Sequence, residues 1–210
     1  MDITLYHYWR SSASWRVRYA LAVKKIAYKP VAVNLLESDE KKPDYVKLNP
    51  SGYIPCLVAD GKALGESLAI IEWLEENFPK PALIPGDSFA RARIRQFAEM
   101  INSGIQPLQN LDVTRKFSED KDAQMRWSQH WIKRGLAACE AFVKQHRPPG
   151  AKFLFGASPT MADACLFPQL YAAGRNEVGL EAYPTLKVVF EHAQGTPEFQ
   201  ATHPDSFKPS

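Results

Sequence analysis

The first eighty residues switch repeatedly between two periods. Ile3-Thr4-Leu5-Tyr6-His7-Tyr8 is short and rich in β-formers, which predicts a strand. Beyond Ser11 and Ser12, positions Val17, Ala20, Leu21 and Lys24 fall at i, i+3, i+4 and i+7. That spacing predicts a helix whose apolar stripe ends at the lysine. Val31, Val33 and Leu35 alternate as a second strand, so the unit is β-α-β, with parallel strands. Residues 37–47 are polar and predict a short helix, followed by the turn cluster Asn49-Pro50-Ser51-Gly52. Cys56-Leu57-Val58 and Lys62-Ala63-Leu64 flank Asp60-Gly61, a strong local hairpin signal. Ser67, Ile70, Ile71, Leu74 and Phe78 then share one helical face.

The resulting order, β-α-β-α-β-β-α, is that of a thioredoxin-like domain. Residues 79–87 carry three prolines and a glycine and cannot continue a helix. Beyond them the pattern is helical throughout. Ile94, Phe97, Ile101, Ile105 and Leu108 recur at helical spacing, with Pro107 expected as a kink. Trp127, Trp131 and Leu136 mark another amphipathic helix. Thr160 and Asp163 have the spacing of a capping box. The expected division is an α/β domain over residues 1–80, a linker over 81–87 and an all-α domain over 88–210. The polar tail from His203 is expected to fray.

Composition narrows the function classes. The chain has 210 residues, 45% apolar and 23% charged, which suits a globular protein with a substantial core. A net charge of +3 without clustered Lys/Arg does not suggest nucleic-acid binding. The pairs Lys24-Lys25 and Lys41-Lys42 read as solvated faces. No stretch approaches 18 apolar residues, and the start lacks the pattern of a signal peptide, so no membrane partner is expected. Three cysteines, Cys56, Cys139 and Cys165, form no C-x-x-C, disulfide framework or metal spacing. Reduced thiols suit the cytoplasm. Cys56, in a short apolar strand, reads as core.

Three junctions could carry chemistry. Arg10-Ser11-Ser12 lies where a strand hands over to a helix. Free N–H groups and the positive end of the helix dipole favour an anion there, and a serine hydroxyl could lower a thiol's pKa. Spacing alone favours a plainer role for Ser11 or Ser12, that of N-cap. Ile54-Pro55 precedes a strand. A cis proline would leave Ile54 backbone groups for an extended ligand, although a trans bond is the commoner case. Glu66-Ser67 opens a helix, where Ser67 can cap or can receive a ligand carboxylate, and Glu66 can pair with an ammonium. Arg10 and Arg175 are candidates for carboxylate recognition. Neither H-E-x-x-H, G-x-S-x-G nor a P-loop occurs.

The run Ser11-Ser12-Ala13-Ser14-Trp15-Arg16-Val17-Arg18-Tyr19-Ala20-Leu21 resembles the S-S-C-x-W-R-V-R-I-A-L signature of zeta-class glutathione transferases, which include maleylacetoacetate isomerases. Asn49-Pro50, Ile54-Pro55, the segment 66–72, the segment 104–111 (GIQPLQNL) and Thr160–Asp163 match the family in the same order. The resemblance implies a thioredoxin-like domain, an all-helical second domain, a homodimer and glutathione as cofactor. It implies that Ser11 and Ser12 stabilise the thiolate and that Ile54 anchors the cysteinyl backbone. By the same likeness Glu66 and Ser67 hold the γ-glutamyl end, and Gln106 and Asn110 add glutathione contacts. Arg10 and Arg175 resemble the holders of a small anionic dicarboxylate substrate, and the implied reaction is cis–trans isomerisation of maleylacetoacetate.

Two positions depart from the family. Ala13 stands where the signature has cysteine, and Tyr53 precedes the Ile-Pro pair where many relatives carry another residue. Three other readings stay open on the sequence: a maleylpyruvate isomerase, a conjugating or dehalogenating transferase, and a glutathione-binding protein that has lost catalysis.

Overall fold

The computed structural model describes residues 1–209. Strand β1 (Ile3–His7) buries Ile3, Leu5 and His7, the alternate positions of a half-buried strand. It lies second in a four-stranded sheet of order β2-β1-β3-β4. Helix α1 (Ser12–Val23) crosses to β2 (Lys29–Ala32), which pairs with β1 in parallel with Thr4 opposite Lys29. β3 (Cys56–Ala59) runs antiparallel to β1, and β4 (Lys62–Leu64) closes the expected hairpin on β3. Helix α3 (Ser67–Asn77) buries Ile70, Ile71 and Leu74 and packs on α1.

Two expectations in this half shift. The second strand sits earlier than the alternation of Val31, Val33 and Leu35 indicates. Asn34 ends it: its amide donates to Asp39 Oδ2, and its Oδ1 accepts from the Leu36 amide. The polar helix also splits. A 3-10 turn occupies Asp39–Lys41, and α2 (Pro43–Leu48) begins afresh at Pro43. Proline holds the preceding Lys42 extended and suits the first helical position.

Lys24 is not on a solvated face. Its ammonium is buried, pairs with Glu75 Oε2 at 2.8 Å and donates to the carbonyls of Phe78 and Pro81. Glu75 Oε2 also accepts from the Leu83 amide. The proline-rich connection is thereby tied down at both Pro81 and Leu83.

The second unit is helical. It comprises α4 (Ser88–Asn102), α5 (Leu111–Phe117), α6 (Lys121–His146), α7 (Met161–Arg175) and α8 (Pro184–Gln194). α4 does not run through Pro107 as a kinked helix. It stops at Asn102, and Pro107 opens a separate 3-10 turn, Pro107–Gln109. α7 is the most deeply buried helix, with twelve of its fifteen residues inside. Its capping box forms: Asp163 Oδ2 accepts from the Thr160 amide and hydroxyl, both at 2.8 Å. Asp163 Oδ1 accepts from the Leu154 amide at 2.9 Å.

Contacts divide the chain into Met1–Leu83 with the segment from Thr196 onward, and Ile84–Gly195. The C-terminal segment therefore groups with the α/β unit, although the helical pattern joined it to what precedes. It does not fray. α9 (Pro197–Thr202) packs on α1, and Trp15 Nε1 donates to Thr202 Oγ1 at 3.1 Å. Phe207 closes a 3-10 turn and meets the His7 ring edge-on at 5.3 Å.

Candidate functional site

The junction of β1 and α1 is built by three hydrogen bonds. Ser11 is the N-cap, and its Oγ accepts from the Ser14 amide at 3.2 Å. The Ser11 amide donates to the Tyr8 carbonyl at 3.1 Å, and the Tyr8 amide donates to Ser14 Oγ at 3.4 Å. A hydroxyl has one proton to donate besides the lone pairs that accept. Ser11 can therefore cap the helix and still donate to an anion. The two roles that compete on spacing alone are compatible in the structure. Ser12 and Ala13 follow, half-buried in the first turn. Arg10 is half-buried, with its guanidinium carbon 5.4 Å from the Trp9 ring centroid. It forms no ion pair among the described residues.

The Ile54–Pro55 bond is cis, against the commoner expectation. The carbonyl of Tyr53, one residue earlier, accepts from Tyr45 Oη at 2.6 Å and Asn49 Nδ2 at 2.7 Å. The Ile54 side chain packs against the core cluster of Val33, Tyr45 and Cys56. Its backbone groups make no hydrogen bond among the described residues, which leaves an anchored residue with an open main chain. The Tyr53 side chain is exposed.

At the start of α3 the expected cap is corrected. Ser67 is the first helical residue, and the N-cap is Glu66, whose side chain caps nothing. Glu66 holds φ at 61°, a conformation unusual for a residue with a Cβ and one that concentrates at ligand-binding positions. Ser67 Oγ instead accepts from Arg16 Nη1 at 3.2 Å. A buried guanidinium thus stands behind an uncapped helix start, and both features favour an anion there. The sequence motif assigns Arg16 no role. Its signal was an arginine in the middle of an otherwise buried helix.

The second unit carries the remaining candidates. Gln106 precedes the 3-10 turn, and its Oε1 is buried with no hydrogen-bond partner among the described residues. Asn110 caps α5 by accepting from the Asp112 amide at 3.2 Å. Arg175 lies in the last turn of α7, exposed. A cavity of about 390 Å³ within this unit is lined by Met100, Leu108, Trp131 and Arg134 among others, and by none of these three candidates.

Cysteine chemistry of the chain's own is absent from the candidate residues. Cys56 is buried, and burial raises its thiol pKa; Cys139 is pushed up to about 12 by burial and then by Cys165. A thiol that reacts at the β1–α1 junction must arrive on a ligand.

Residues 5–82 match the family model for the glutathione S-transferase N-terminal domain, and residues 126–192 match that for its C-terminal domain. The chain belongs to the glutathione S-transferase family. Within it, the similarity runs to the zeta class. The maleylacetoacetate isomerase of Dictyostelium discoideum is 44% identical over 200 residues, covering 93% of this chain and 90% of that one. A maleylacetoacetate isomerase from Anaeromyxobacter dehalogenans 2CP-1, crystallised with dicarboxyethyl glutathione and citrate in the active site, is 42% identical. It superposes with a TM-score of 0.87 over 100% of this chain and 97% of that one. The holo structure of a maleylpyruvate isomerase, a bacterial zeta-class enzyme, is 35% identical with a TM-score of 0.93, covering 99% of each chain.

Proposed function

We propose that this protein is a glutathione-dependent cis–trans isomerase that converts maleylacetoacetate to fumarylacetoacetate, in the cytoplasm and as a homodimer. The observation that carries the reading is the β1–α1 junction. There a serine hydroxyl with a proton to donate stands beside an arginine that has no carboxylate partner in the described residues.

The residues present fit glutathione. The uncapped start of α3 at Glu66 and Ser67, backed by Arg16, suits the γ-glutamyl end. The open main chain of Ile54 suits an extended peptide. Gln106 and Asn110 are assigned as further contacts on the motif, and the unpartnered Oε1 of Gln106 supports the first of them. Bound glutathione supplies a thiol that adds reversibly to the cis double bond, allows rotation there, and is released unchanged.

The chain's own part is electrostatic. Ser11 donates to the sulfur, and the first turn of α1 adds the positive end of its dipole, with Ser12 within it. Each pKa unit by which the thiol falls requires about 1.4 kcal/mol of preference for the thiolate. One charge-favouring hydrogen bond and one helix start supply that order of energy. Arg10 holds a carboxylate of the substrate and faces the charge that develops during addition. Arg175 is assigned to a second carboxylate by resemblance. The relative that binds glutathione with a dicarboxyethyl group supports a dicarboxylate substrate.

Maleylpyruvate is the second substrate to test, because an enzyme of that name shares the fold at a TM-score of 0.93. The test follows the ultraviolet spectrum of each substrate with and without glutathione. Turnover of maleylacetoacetate that vanishes without glutathione is the expected result. Turnover of neither substrate, with glutathione still bound, would sink the reading and point to conjugation or to a binding role.

A further inference from the structure

Arg18 is fully buried on α1, yet it forms no ion pair among the described residues. Burying a charge without a counter-charge is costly, so its other partners carry the compensation. Nη1 donates to the Tyr8 carbonyl at 3.3 Å and lies 3.2 Å from His7 Nδ1. Nη2 donates to the Trp9 carbonyl at 2.9 Å. Nε donates to the Thr202 carbonyl at 3.4 Å, and the Phe207 ring centroid stands 4.5 Å from the guanidinium carbon. One side chain thus joins two carbonyls of the loop after β1 to two features of the C-terminal segment.

We infer that the C-terminal segment, through Thr202, Phe207 and Arg18, is a positioning element for the loop that carries Arg10 and Ser11. This rests on the proposed role of those two residues. The Tyr8 carbonyl that Arg18 holds is the acceptor of the Ser11 amide. The Trp9 carbonyl it holds precedes Arg10, whose guanidinium lies near the Trp9 ring. Burial, and then the Arg18 charge, push the His7 pKa down to about 4, so the ring is neutral at physiological pH and Nδ1 can accept from Arg18. Removing the Phe207 ring takes away the face against which the guanidinium rests, and the loop loses its register. Catalysis is steep in such register: a displacement of about 1 Å can cost on the order of a hundredfold in rate.

The experiment compares Phe207→Ala, Phe207→Leu and Phe207→Tyr. Amide exchange of residues 8–14 is read on the free protein, and kcat and the glutathione KM are read with maleylacetoacetate. For the alanine and leucine variants, loop protection and kcat should each fall about tenfold, with KM changed less than twofold. The tyrosine variant, which keeps an aromatic face, should restore both. Unchanged loop exchange in Phe207→Ala overturns the inference, as does full rescue by leucine, which would mean that the tail supplies only apolar bulk. Faster loop exchange in a protein whose wild type isomerises neither substrate upholds the positioning role and sinks the isomerase reading instead.

Discussion

Ser11 shows why a single residue can carry two assignments. Its oxygen accepts from the Ser14 amide, and its proton remains to donate. Alanine would remove both functions, so it cannot separate them. Glycine can, because it serves as an N-cap at a cost of only a few tenths of a kcal/mol. Ser11→Gly should keep Tm within about 1–2 °C while turnover falls about tenfold, corresponding to a rise of about one unit in the bound thiol's pKa. Thermal melts and steady-state kinetics on the same preparation check it, and a large fall in Tm with unchanged turnover would return Ser11 to a purely structural role. The serine was legible in the sequence because strand, hydroxyl and helix start are all local features. Arg16 and Arg18 were not, since their partners, Ser67 and Thr202, lie 51 and 184 residues away.

Elements were legible where their ends are marked by local chemistry. The Asp60-Gly61 hairpin and the Thr160–Asp163 box both form. Elements shifted where a proline or an asparagine overrode the apolar period, at Asn34, Pro43 and Pro107. The start of α3 shifted for another reason: Glu66 adopts a positive φ that no sequence pattern announces. The capping box of α7 supports a stability prediction. Asp163 is fully buried, and three hydrogen bonds to its carboxylate are opposed by burial, which pushes its pKa up to about 6. Asp163→Ala leaves the Leu154 and Thr160 amides without their acceptor. The loss should be about 3 kcal/mol, a fall in Tm of roughly 10 °C, read by differential scanning calorimetry.

Across the whole molecule, the α/β half, the proline-rich connection and the all-helical half could be read from the change in hydrophobic period. The return of the C-terminal segment to the first unit could not, because its polar composition conceals three anchoring groups, Phe199, Thr202 and Phe207, whose partners are on β1 and α1. That arrangement carries a pH signature. His7 has its pKa depressed to about 4, first by burial and then by Arg18. A depressed group contributes stability that is present above its unfolded value, near 6.5, and is lost as pH falls toward 4. The contribution is roughly 3 kcal/mol. Asp163 acts in the opposite sense, because its raised pKa makes stability fall as pH rises from 3.8 to about 6. The two oppose each other, so in urea melts a His7→Asn variant, left with the Asp163 contribution, should gain about 3 kcal/mol relative to the wild type as pH falls from 6.5 to 4. An identical pH dependence in the variant would assign the acid sensitivity elsewhere.

Ala13 and the three interior cysteines together have a practical consequence. Cys56, Cys139 and Cys165 are each 0% exposed, and the position at which the family signature places a sulfur holds a methyl group. The folded protein therefore presents no sulfhydryl to alkylating reagents. Iodoacetamide should leave activity intact, with mass spectrometry showing no adduct until denaturant is added. In a medium rich in glutathione and its disulfide, such a folded protein has no exposed thiol to exchange.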